Sequence, residues 1–80
     1  MSEKINPDKT LDCRGQKCPM PIIKTKKELE NLESGQILEI LGTDVGTKND
    51  LPSFAEKSGN EFLQTIEDPE GFFRFYLRKS

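Results

Sequence analysis

Leu11-Asp12-Cys13-Arg14-Gly15-Gln16-Lys17-Cys18-Pro19-Met20-Pro21 decides how this chain folds. Its first residues continue Lys9-Thr10 and predict a short opening strand that ends near Gly15. Its last residues open a helix. Pro19 suits a first helical position, where a missing N–H costs nothing. Cys18 is then the expected N-cap, and Pro21 still falls in the first turn. The helix is expected over residues 19 to about 33, with Ile22, Thr25, Leu29 and Leu32 as its buried stripe and Ser34-Gly35 as its stop.

Outward from this junction, residues 36–41 are almost continuously apolar with Glu39 between, the pattern of an interior strand. Gly42-Thr43-Asp44-Val45-Gly46 reads as a turn. Asp50 is the expected cap of a second helix, in which Leu51, Phe54, Ala55 and Ser58 share a face, Pro52 falls in the first turn and Gly59 ends the element. Residues 62–66 and 72–78 form a hairpin around Asp68-Pro69-Glu70-Gly71, whose residue types suit a type I turn. Phe73, Phe75 and Leu77 alternate toward the helices, and their aromatic mass puts the last strand inside the sheet. The first two strands are expected to be parallel, joined by a crossover. The expected fold is an α+β two-layer sandwich in βαβαββ order, a four-stranded mixed sheet with two helices on one face. Residues 1–7 are expected to be a flexible tail and 8–80 a single domain.

Size agrees. Eighty residues with 32% hydrophobic and 32% charged content fill a thin core and little more. The chain has no Trp and no His. Absence of His removes the usual general base, the usual thiol activator and the commonest metal ligand together. Two thiolates without His fall short of a four-ligand site, so no metal is expected. No segment has the length and apolarity of a signal peptide or a membrane span, so a cytoplasmic protein without membrane contact is expected. In a reducing compartment, two cysteines are more often reactive or inert than cross-linked.

The net charge of −2 hides an asymmetry: residues 1–27 carry seven Lys/Arg against three acids, residues 28–80 five against eleven. The positive part holds both cysteines. A thiol at a helix N-terminus faces backbone N–H groups and the positive end of the dipole, both of which favour the thiolate. Cys18 is therefore the candidate nucleophile. Arg14, Lys17 and Lys24 are candidates for stabilising its anion or for docking a partner, with helix solubility as the plainer reading. Gly15, Pro19, Pro21 and Asp50 are read as structural. Cys13 ends a strand five residues earlier, across a turn short enough for the ~7 Å Cα separation a disulfide needs. It is either a resolving thiol for Cys18 or a bystander. The Phe72-to-Tyr76 run is read as core, and an acidic pI of about 5.1 argues against direct nucleic-acid binding.

The motif Leu11-Asp12-x-x-Gly15-x-x-Cys18-Pro19-x-Pro21 resembles that of the TusA/SirA family of small sulfur-carrier proteins. The likeness continues in Gly35-Gln36, Thr43-Asp44, Asp50-Leu51-Pro52-x-Phe54 and Phe73-Arg74-Phe75-Tyr76, over roughly residues 8–79. Cys13 and Gln16 depart from the commonest pattern. The resemblance implies a fold like the C-terminal domain of translation initiation factor three. It also implies that Cys18 accepts sulfane sulfur as a persulfide and relays it to another protein, in tRNA thiolation or dissimilatory sulfur metabolism. Cysteine desulfurases, rhodaneses or DsrE-type proteins would be donors and acceptors, with no cofactor and a monomeric carrier. The alternatives of other classes are a thiol–disulfide redox protein using Cys13 and Cys18, and a non-catalytic adaptor.

Overall fold

Lys9–Cys13 (β1) and Ile37–Gly42 (β2) run parallel, with Leu11 opposite Ile40 and Cys13 opposite Gly42. Phe73–Arg78 (β4) lies antiparallel on the other side of β2 and also pairs with Glu61–Glu67 (β3), giving the order β1-β2-β4-β3. Two helices, Met20–Glu30 (α1) and Val45–Ser58 (α2), complete the βαβαββ sequence. This is the expected mixed sheet with its last strand inside. The computed structural model describes residues 5–17 and 19–80; Cys18, the expected N-cap, and residues 1–4 of the expected tail lie outside the described residues.

The core lies between the helices and one face of the sheet. Leu38, Ile40, Phe75 and Leu77 come from the two central strands, and Leu29, Leu51 and Ala55 from the helices; Cys13 closes the end of the cluster. The strand register makes this one face, since Leu38 pairs with Leu77 and Ile40 with Phe75. Burying each such side chain is worth about 1.5–3 kcal/mol. Of the predicted stripe on α1, Thr25 and Leu29 are buried while Ile22 and Leu32 pack at the edge of the core. Phe73, expected beside Phe75 and Leu77, is half-buried at the cluster's margin.

Two helix starts differ from the sequence reading. The cap of α1 falls on Pro19 rather than Cys18: the Pro19 carbonyl accepts the first helical bond, from Ile23 N–H at 3.0 Å. Just before it, Met20 N–H closes a turn on the Lys17 carbonyl at 3.0 Å. The helix ends at Asn31, short of Ser34-Gly35, which form the next turn. In α2 the correction is larger. Asp44, in extended conformation (φ −87°, ψ 125°), precedes the helix, so Asp50 is not its cap and Pro52 sits inside it. The physical reason is Thr47, fully buried together with Leu51 and Ala55. Its burial at the preceding turn of the same face carries the helix back over residues read as a turn. The end of α2 is as expected. Gly59 takes the left-handed φ of +79°, and Asn60 N–H reaches back to the Ala55 carbonyl at 2.9 Å.

The hairpin turn is closed by Gly71 N–H on the Asp68 carbonyl at 2.9 Å, and β3 bulges between Phe62 and Gln64. The sheet face away from the helices carries a polar cluster around Glu39. Thr10 Oγ1, Tyr76 OH and Arg74 Nη1 all donate to its carboxylate, at 2.9, 2.6 and 3.2 Å. Burial pushes the Glu39 carboxyl up, but those donors and the Arg74 charge outweigh it and hold it below the usual range. Arg74 also bonds Asp68 at 2.9 Å.

Candidate functional site: the loop between the first strand and the first helix

The loop from β1 to α1 leaves the C-terminal end of a parallel strand pair, where open α/β sheets commonly place their sites. Three consecutive amides hold its first half. Arg14 N–H donates to Asp12 Oδ1 at 3.0 Å, Gly15 N–H to Thr43 Oγ1 at 2.8 Å, and Gln16 N–H to the Cys13 carbonyl at 3.2 Å. Gly15 makes the turn possible. Its φ is +81° and a Cβ there would meet nothing within 4 Å, so the need for glycine is conformational rather than steric.

The cations of the sequence reading separate into different roles. Arg14 forms a two-pronged pair with Asp12, at 3.0 and 2.9 Å, and lies 4.9 Å from the Phe72 ring centre. That pair holds the Asp12 carboxyl down at about 2 and raises the Arg14 guanidinium. The Arg14 charge is thus largely matched within the loop. Arg74 covers the same Phe72 ring at 5.0 Å, which leaves that phenyl group only 8% exposed. Lys17 is exposed. Lys24, one turn into α1, is half-buried and near enough to Asp12 and Cys13 to favour the anionic form of each.

The two cysteines stand differently. Cys13 has no exposed surface and belongs to the hydrophobic core; burial pushes its thiol up, against a smaller opposing effect from Lys24. Cys18 lies outside the described residues, and in sequence it immediately precedes the cap of α1. Prolines at 19 and 21 remove two of the amides that a helix start ordinarily presents, and Met20 N–H is taken by Lys17. The helix dipole remains at this end of α1.

Beside this start runs an open cleft of about 340 Å³, lined by Pro19 and Ile22 of the α1 side and Asp50, Ser53, Phe54 and Lys57 of α2. Asp50, expected as a cap, is instead on the rim of this cleft. Met20 and Ile23 add exposed apolar surface on α1, at 44% and 45% exposure. Pro21 is buried and anchors the first turn. Among the described residues no group of three or more His, Cys, Asp or Glu could hold a metal ion, and no helix is long and apolar enough to cross a membrane. Sequence reasoning missed Thr43 as a partner of the loop. The available signal was its position directly after the strand parallel to β1.

Fold and loop define a small two-layer domain with a loop that leads from the parallel strand pair into α1 and an open cleft between its two helices. The family described as Sulfurtransferase TusA matches residues 9–79, and the chain belongs to that family. The sulfur carrier protein TusA of Allochromatium vinosum is 41% identical over 73 residues, covering 91% of this chain and 95% of that protein. YrkI of Bacillus subtilis is 44% identical over 72 residues, covering 90% and 95%. A SirA-like protein of Desulfitobacterium hafniense, solved by crystallography, superimposes with a TM-score of 0.79 at 30% identity over 88% of this chain and 95% of that one.

Proposed function

We propose that this protein is a sulfur carrier that accepts sulfane sulfur on Cys18 and passes it to a downstream protein. The start of α1 at Pro19 supports the reading most directly, because Cys18 precedes the positive end of that helix in sequence and follows exposed Lys17. In loading, the Cys18 thiolate attacks the outer sulfur of a donor persulfide. A new S–S bond forms, the donor's S–S bond breaks, and the donor cysteine leaves as a thiolate with the electron pair. In delivery, an acceptor thiolate attacks the outer sulfur on Cys18, and Cys18 is the thiolate that leaves. The sulfane sulfur keeps its oxidation state throughout, so no cofactor or outside oxidant is required. No general base is required either, since a thiolate attacks without losing a proton, which accords with a chain that has no His.

Membership of the family implies sulfur-donor and sulfur-acceptor proteins as partners. A cysteine desulfurase, a rhodanese or a DsrE-type protein would fill those roles, in tRNA thiolation or dissimilatory sulfur metabolism. An open cleft, together with the exposed apolar Met20 and Ile23 on α1, suits transient protein contacts better than enclosure of a small substrate. Cys13, sealed in the core, is read as a bystander. Intact-mass measurement after incubation with a desulfurase and cysteine tests the proposal: the wild type should gain one sulfur atom (about 32 Da) that dithiothreitol removes. A Cys18→Ser variant should gain none. Equal gain by that variant would overturn the assignment.

A further inference from the structure

Of the backbone bonds that hold the loop after β1, those of Arg14, Gln16 and Met20 end on Asp12, Cys13 and Lys17, within the same stretch of chain. The Gly15 bond is different. It ends on the hydroxyl of Thr43, 28 residues away, at 2.8 Å. Thr43 follows β2 directly, and β2 is the parallel neighbour of β1, so the two strand-end loops lie side by side. Both groups are exposed, and water could satisfy the Gly15 amide equally well. What water cannot do is fix the loop to the sheet. Gly15 is also the loop's point of greatest backbone freedom, with φ at +81° and open space around its Cα.

We infer that Thr43 is a positioning residue: its hydroxyl holds the loop at Gly15 and so sets how the chain from Lys17 onward enters α1. The inference rests on Cys18 being the reactive thiol. A carrier must present one sulfur atom to two thiolates in turn, and reaction by displacement depends on reproducible alignment of the reacting atoms. Released from Thr43, the described backbone amides of the loop keep only bonds within the loop, with the Arg14 side chain still against Phe72. The chain that leads into the positive end of α1 is then less fixed, and a reactive thiol carried there should behave more like that of an unstructured peptide.

The experiment compares Thr43→Val, which keeps the branched shape and removes the hydroxyl, with Thr43→Ser, which restores it. The readout is the pH dependence of Cys18 alkylation by iodoacetamide, followed on the Cys18 peptide. In Thr43→Val the midpoint should rise by about half a unit, leaving roughly threefold less thiolate near neutral pH. Thr43→Ser should follow the wild type. Exchange of the Gly15 amide with deuterated water should quicken in Thr43→Val alone. An unchanged alkylation profile in Thr43→Val, or the same shift in both variants, overturns the inference. The sulfur-carrier proposal is scored separately by wild-type mass gain. Failure to load sulfur with a shifted profile removes the carrier reading and leaves the loop's dependence on Thr43 standing.

Discussion

Cys13 should be chemically silent in the folded protein, although it is one of only two thiols in the chain. Its side chain is 0% exposed and burial raises its pKa, so a reagent must wait for the structure to open. Domains this small are stable by roughly 0.05–0.15 kcal/mol per residue, or ~4–12 kcal/mol in all. Global opening would then slow modification by at least about a thousandfold at 1.4 kcal/mol per factor of ten. Peeling β1 alone is easier, because among the described strands it lies at the sheet edge and pairs with β2 alone. A local opening of ~3 kcal/mol still slows the reaction about a hundredfold. The assay is timed alkylation with iodoacetamide, a denaturing quench with a second reagent of different mass, and peptide mapping. Trypsin separates the two thiols, because Arg14 and Lys17 lie between them. Cys18 should react first, with Cys13 at least about a hundredfold slower. A Cys13→Ser variant should load sulfur as the wild type does, while losing about 1–3 kcal/mol of stability for a buried hydroxyl without a partner. Labelling of Cys13 within tenfold of Cys18 would refute the sealed-core account and favour the two-thiol redox alternative.

Glu39→Leu should lower stability by about 2–4 kcal/mol, because it strands the buried Tyr76 hydroxyl and removes one partner of Arg74, whose side chain is a third exposed and so contributes less. Urea unfolding measures it, and a midpoint at or above wild type would show that burying the carboxylate costs more than its three donors return. Acid should destabilise the protein below about pH 4. Asp12, Asp68 and Glu39 all have lowered folded-state values, Asp12 at about 2 through its bonds to Arg14, and Asp68 through the Glu70 amide and Arg74. Groups of that kind stabilise the fold above their ordinary values of 3.8 to 4.5 and lose the contribution as pH falls toward their folded ones. Melting temperature should therefore fall between pH 4.5 and 2 and fall less steeply in Asp68→Asn; a flat profile would contradict the lowered values. Gly15→Ala should cost about 1 kcal/mol, entirely from the left-handed backbone, with Gly15→Asn costing less. Equal denaturant midpoints for all three proteins would mean that residue 15 does not hold that conformation.

The sequence by itself determined the order of elements, the parallel first pair and the interior position of the last strand. These rest on local signals: prolines at 19 and 21, the apolar run around Ile40, and the alternation of Phe75 and Leu77. Such signals are legible because each residue's immediate neighbours enforce them. Local signals failed at α2, where Asp50 and Pro52 resemble a helix start but burial of Thr47 extends the helix to Val45. Tertiary structure alone decided the rest. Glu39 meets Thr10, Arg74 and Tyr76 from 29 to 37 residues away, and Gly15 meets Thr43 from 28 away. Periodicity and turn chemistry carry no record of such distant partners, since only the register of strands that pair in the finished sheet brings them together. The sequence singled out Cys18 but left Cys13 either a resolving thiol or a bystander, and only its place in a core cluster drawn from both helices and both central strands shows that it is buried.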